Sequence, residues 1–160
     1  MGAGRRRSGA TTTDIEDIRR LHHTYAYTFD GGDFDAFAAL FEHGTLHLKG
    51  VDDPATGAVA VRRLVDRCVI LYDGTPATNH LMHNLIVDVA DDGVTARAST
   101  YVQVIQGLAD FPPQTIATGI YRDLLRKRDG EWTFAERTID GSLRGDLSRH
   151  LRRRRDRPPS

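Results

Sequence analysis

Apolar residues recur every three to four positions near the start of the chain. Ile15, Ile18, Leu21, Tyr25 and Phe29 describe one helical face. Thr13 followed by Glu16 offers a capping box at its head, and Gly31 and Gly32 stop it after Asp30. Asp33 can cap a second, shorter helix carrying Phe34, Phe37, Leu40 and Phe41, closed by Gly44. "TLHLKG" reads as a short strand and "DDPATG" as a loop. From Ala58 to Tyr72 the spacing of Val61, Leu64, Val65, Cys68 and Leu71 is helical again.

The second half changes period. Residues 79–90, 94–107, 116–128 and 131–140 are β-rich; "DDG" and "RDG" supply hairpin turns, and "GLADFPPQT" is a longer connection. Strands this long exceed the usual five or six residues and must coil or bend to stay packed. The element order therefore predicts an α+β domain in which a curved antiparallel sheet wraps around N-terminal helices as a cone with a cavity.

Composition narrows the function. Lysines plus arginines equal aspartates plus glutamates at 22 each, but ten arginines sit in the two ends. Residues 11–143 keep 12 basic against 20 acidic side chains, near −8, which argues against a core that presents a basic face to nucleic acid. The expected organisation is a disordered segment over residues 1–12, one domain over 13–143, and a basic, disordered tail over 144–160. A single cysteine, Cys68, excludes an internal disulfide and a cysteine-cluster metal site. No signal-like segment and no 18-residue apolar run is present, so the expectation is a cytoplasmic protein without membrane contact.

The candidate chemistry gathers at Asp30 and in "ATNHLMHNLIVDV", residues 77–89. A carboxylate ending a helix faces the negative end of the helix dipole, and a histidine could compensate it. In a regular strand His80, Met82 and Asn84 share one face, while His83 shares the other with Leu81, Leu85, Val87 and Val89. Both faces carry apolar residues, so periodicity leaves open which is interior. Tyr25, Tyr101 and Tyr121 are candidate cavity hydroxyls for a developing oxyanion. His43 and His47 with Glu42 span a helix-to-strand boundary and do not make a metal site, and no phosphate loop or nucleophile elbow is present.

"LHHTYAYTFDGGDFDAFAALF" resembles the opening helices of SnoaL-like proteins, "NHLMHNLIVDV" their histidine-and-asparagine strand, and "GIYRDLLRKRDGEWTFAERTI" their last hairpin. The resemblance covers about residues 13–141 and implies a cystatin-like α+β barrel. Its superfamily includes scytalone dehydratase, ketosteroid isomerase, limonene epoxide hydrolase, a dehydrochlorinase, polyketide cyclases and the non-catalytic β subunits of ring-hydroxylating dioxygenases. Fold alone does not select among these.

In the dehydratase and dehydrochlorinase branch an aspartate ending the first helix orients a histidine that removes a proton from substrate. By motif these positions are Asp30 and His80, and Tyr25 matches the family's first-helix tyrosine; on the residue pattern, Met82, Asn84, Tyr101 and Tyr121 would shape the substrate cavity with it and His83 would be idle. The implied function is a cofactor-free lyase or isomerase acting on a small apolar or polycyclic metabolite. The alternative is a non-catalytic ligand-binding protein or an oxygenase β-subunit-like partner. Departures from scytalone dehydratase argue against scytalone as substrate: "TYVQVIQ" holds no histidine, Phe29 replaces a tyrosine, and "TLHLKG" has none. If the His80 face is interior, the Leu81, Leu85, Val87 and Val89 face would be an exposed apolar patch, which predicts a homodimer or higher homo-oligomer through the sheet.

Overall fold

The computed structural model describes residues 11–49 and 53–152. Helices α1 (Thr12–Asp30) and α2 (Phe34–Ala39) precede strands β1 (Thr45–Leu48) and β2 (Ala55–Thr56); helix α3 (Gly57–Cys68) follows. Four long strands complete the fold: β3 (Thr78–Val89), β4 (Thr95–Leu108), β5 (Phe111–Arg128) and β6 (Glu131–Arg144). With β1 and β2 they form one six-stranded sheet in the order β2-β1-β6-β5-β4-β3. The sheet is α+β in context, curved and unclosed, and one pairing is not antiparallel: β1 runs parallel to β6.

The first helix starts two residues earlier than its sequence suggests. Thr11 is the N-cap and Asp14, not Glu16, completes the capping box. Asp14 has further reasons to hold that position, because its Oδ1 accepts hydrogen bonds from Lys127 Nζ at 2.8 Å and from Trp132 Nε1 at 3.0 Å. The helix start is thereby pinned to the β5–β6 hairpin. Asp33 caps α2 through Ala36 N, and α2 is shorter than its apolar spacing implies. Helix α3 likewise ends at Cys68, since Val69 turns extended and bridges Leu151.

"FPPQT" belongs to β5 rather than to a loop. Leu108 pairs with Phe111 and Gln106 with Gln114, so Pro112 and Pro113 occupy a register irregularity opposite Gly107, where no ladder N–H is required of them. Curvature comes from such irregularities, which recur in β3–β4, β4–β5 and β5–β6. Inside the curve, Tyr25, Phe29, Phe37, Phe41 and Phe134 make a contiguous aromatic core, with Phe41 stacked on Phe134 at 5.2 Å.

One irregularity overturns the face assignment of β3. The register shifts between His83 and Ile86, and Asn84 takes a left-handed φ of 55°. The extra residue reverses the alternation: His80 and Met82 point inward before the bulge, and Leu85, Val87 and Val89 point inward after it. Leu85, Val87 and Val89 therefore pack on the core and are not the outer patch that regular alternation implies. Among the described residues, the large apolar groups most exposed on the outer surface of β3 and β4 are Leu81, Ile86 (62% exposed) and Tyr101 (56% exposed).

Residues 145–152, which composition assigns to the tail, pack onto the body instead. Gly145 N–H donates to Ile116 O, Ile70 N–H to His150 O and Arg152 N–H to Cys68 O. Backbone pairing and the apolar side chains Leu147 and Leu151 outweigh the charge pattern there. The expectations for residues 1–10 and 153–160 lie outside the described residues. Among the described residues no helix is long and apolar enough to cross a membrane.

Candidate active site

Asp30 is the last residue of α1 because the chain must turn at once. Gly32 has a φ of 74°, and a Cβ there would overlap the carbonyl oxygen of Gly74. That close approach sets the end of α1 against the start of β3. Asp30 Oδ1 then accepts the Thr78 hydroxyl at 2.7 Å and His80 Nδ1 at 2.6 Å, while Oδ2 accepts the His80 backbone N–H at 2.6 Å. Three donors offset the unfavourable helix end. The side chains are only 14% and 6% exposed.

A carboxylate on Nδ1 requires the ring proton at that nitrogen. Nε2 is left as the acceptor, and no described residue bonds to it. The ring is held between Phe29, edge-on at 4.9 Å, and Tyr25, at 6.5 Å. His80 is thus a tautomerically fixed imidazole on the wall of a mostly apolar chamber.

That chamber is a cavity of about 340 Å³ inside the curve of the sheet, closed by α1, α3 and the C-terminal residues. Phe29, Val104 and Ile116 give it apolar walls; Tyr25, Tyr121 and His80 converge as polar groups, and Lys49 and Arg144 contribute charge. The volume falls in the small-ligand range. A larger open depression of about 560 Å³ lies between α2 and α3. It is a surface groove edged by the Arg62 ion pairs with Asp35 and Asp66 and gathers no acid–base pair.

Beneath the tyrosines lies a buried ionic triad. Arg137 Nε and Nη2 each donate to Asp123 at 2.7 Å, and His22 Nε2 meets Asp123 Oδ2 at 2.7 Å. His22 Nδ1 faces the Ile18 carbonyl at 2.8 Å, so both ring nitrogens meet acceptors. Burial pushes the Asp123 carboxyl up, but Arg137 and His22 outweigh it and hold the group below its ordinary range. The guanidinium carbon sits 4.3 Å from the Tyr25 ring centre, 4.7 Å from Tyr121 and 4.2 Å from Phe134. Burial raises both tyrosine pKa values, Tyr121 further because Tyr25 is its neighbour, which keeps both phenols as O–H donors.

The structure brings Asp30, His80, Tyr25 and Tyr121 together and separates the other sequence candidates from them. Met82 packs on the core but does not line the cavity. Asn84 sits exposed in the bulge, and Tyr101 is on the outer face opposite His83, itself exposed. The bulge is the physical reason for Asn84's exclusion, whereas Tyr101 faces outward because β4 buries Thr100 and Val102 on its other face. Among the described residues no group of three histidine, cysteine or acidic side chains is placed to hold a metal ion.

Two features escaped the sequence. The His22–Asp123–Arg137 triad had a signal, since His22 falls on the apolar face between Ile18 and Tyr25, and Asp123 shares parity with Tyr121 and Leu125. His150 had none: it lies in an arginine-rich run, yet it lines the cavity.

The fold is thus a curved-sheet cone with a histidine–carboxylate pair beside a mostly apolar chamber. The chain belongs to the SnoaL-like domain family, whose model matches residues 10–138. Among solved structures it is similar to a protein of unknown function from Mycobacterium tuberculosis, at 27% identity and TM-score 0.69, covering 81% of this chain and 72% of that one. A protein of unknown function with a cystatin-like fold from Nostoc punctiforme gives 20% identity and TM-score 0.68, with 82% and 93% covered. A protein provisionally assigned as a scytalone dehydratase from Novosphingobium aromaticivorans gives 24% and 0.68, with 84% and 87% covered. These last two likenesses show the fold alone. No curated protein matches the chain.

Proposed function

We propose that the protein is a cofactor-free lyase or isomerase that removes a proton from a carbon acid, with His80 as general base and Asp30 as its orienting partner. The observation that carries this reading is the 2.6 Å contact of Asp30 Oδ1 with His80 Nδ1 beside an apolar cavity. The carboxylate fixes the proton on Nδ1, presents the Nε2 lone pair, and stabilises the imidazolium formed when Nε2 takes the proton. The electron pair left on carbon moves toward an adjacent electron-withdrawing group or expels a leaving group. Tyr25 and Tyr121, kept protonated and backed by the Arg137 guanidinium, supply hydroxyls toward an oxygen that gains charge. The substrate class that fits the walls is a small, largely apolar molecule with one such oxygen. Enzymes of this chemistry occur in the same fold, and the relative provisionally assigned as a dehydratase is in keeping with it.

The test needs no natural substrate. 5-Nitrobenzisoxazole opens when a base removes its ring C–H proton, with the N–O bond breaking to give a coloured cyanophenolate. Catalysis above buffer that His80→Gln abolishes, and that Asp30→Asn lowers by about 10²-fold or more, is the expected outcome. Turnover unchanged by His80→Gln would remove the reading.

A further inference from the structure

The described tail ends in a strap that carries one buried side chain whose ring nitrogens the fold leaves without partners. His150 is 8% exposed, its Nδ1 is sealed with no hydrogen-bond partner, and no described residue bonds either ring nitrogen. Yet the backbone around it is fully fastened. His150 O accepts from Ile70 N at 2.9 Å, and His150 N donates to Leu147 O at 3.0 Å. On one side Tyr72 Oη and Gln106 Nε2 donate to the Arg149 carbonyl, at 2.7 and 3.1 Å. On the other Leu151 bridges Val69. None of these contacts uses the imidazole.

The ring's neighbours would suit an aliphatic side chain. Phe29 lies 6.1 Å away, centre to centre, and packs at 4.9 Å on His80 from the same ring. A polar ring buried without a partner costs free energy. A bound molecule can supply a partner to Nε2, the ring nitrogen that is not sealed, because His150 and His80 line the same cavity. Burial and the nearby His80 also pull the His150 pKa down to about 4, against the opposing pull of Asp30. At neutral pH the ring therefore carries one N–H and no charge.

We propose that His150 is a second histidine of the active site, whose Nε2–H donates a hydrogen bond to the substrate oxygen on which charge collects as His80 removes the proton. The proposal rests on the general-base reading above. The C–H proton passes to His80 Nε2, the bonding pair moves into the substrate and its charge settles on that oxygen. His150 keeps its proton throughout and stabilises the charge through the hydrogen bond.

Three variants and one spectrum test it. His150→Leu preserves every backbone contact of the strap, so the expected protein is folded with an unchanged or raised Tm. Its kcat for 5-nitrobenzisoxazole falls at least 10-fold with little change in KM, and His150→Gln, which restores an N–H donor, recovers part of the loss. In ¹⁵N-histidine-labelled wild type, saturating 4-nitrophenol shifts the His150 ring resonances. A His150→Leu protein that matches wild type within twofold, while His80→Gln is inactive, overturns the His150 role and leaves the general base standing. If wild type shows no His80-dependent turnover, the general-base reading fails and the spectrum decides: His150 resonances that 4-nitrophenol leaves unmoved overturn the proposal, and shifted ones support a ligand contact.

Discussion

Replacing Asp123 by asparagine removes one charge from the centre of the molecule at nearly constant volume, and the buried triad sets the size of the effect. Arg137 is wholly inaccessible and donates two 2.7 Å hydrogen bonds to this carboxylate; its Nη1 has no partner among the described residues. His22 gives Asp123 its Nε2 contact as well. An amide has one acceptor oxygen, so it cannot satisfy a guanidinium fork and an imidazole together. Breaking a buried ion pair by changing one partner costs about 3–5 kcal/mol, and the three rings around the guanidinium offset part of the unpaired charge, which places the expectation near 4 kcal/mol. That is a large share of the typical 5–15 kcal/mol of a domain. At about 2–4 °C per kcal/mol the melting temperature falls by roughly 8–16 °C. Urea unfolding followed by tryptophan fluorescence and circular dichroism gives the free energy directly. A companion triple variant, His22→Leu with Asp123→Leu and Arg137→Met, should regain most of the loss, because an apolar replacement of a buried charge cluster is close to neutral. Asp123→Asn within about 1 kcal/mol of wild type would refute the idea that the triad is a tightly coupled unit.

Further outcomes follow from other contacts. Lys127, Thr11 and Trp132 hold the Asp14 carboxyl well below the usual carboxylate range, so its stabilising contribution is complete above the ordinary aspartate pKa of about 4 and is lost as pH falls below it; thermal melts from pH 6 to pH 2 should show Asp14→Asn closing on wild type at the acid end, and parallel curves would contradict this. Gly32→Ala places a Cβ against the Gly74 carbonyl in a left-handed backbone, and should cost about 1–3 kcal/mol while displacing Asp30; an unaltered denaturation midpoint would dismiss the clash. Self-association through the outer face of β3 and β4 is left with Leu81, Ile86 and Tyr101. Sedimentation at micromolar concentration should give a dimer that Ile86→Lys dissociates, and a wild-type monomer would exclude that surface.

The legible parts of this molecule are those in which local pattern and tertiary role agree. Helix α1 shows its apolar stripe, its glycine stop and its terminal Asp30, and the four long strands announce themselves by alternation and turn residues. The Asp30–His80 pairing needed the family resemblance, because 50 residues separate the two and no local rule links them. What misled was a single inserted residue. Alternation is reliable only while register is constant, and the bulge at Asn84 moved Leu85, Val87 and Val89 to the interior and Asn84 itself out of the cavity. Tyr101 was lost through strand parity alone, for β4 buries Thr100 and Val102 and turns Tyr101 outward. The strap was hidden for another reason: backbone hydrogen bonds to Ile70 and Cys68 dock it, and backbone groups leave no trace in composition.

His80, on the proposed reading, takes a proton from carbon inside the cavity. Proton removal can be watched without a completed reaction by following the α-C–H signals of 2-tetralone in D₂O by NMR in the presence of the protein. Exchange well above the buffer rate is expected with wild type, slowed to that rate by His80→Gln although the variant stays folded. Exchange at the buffer rate with wild type, or equal acceleration by the His80→Gln protein, would contradict it.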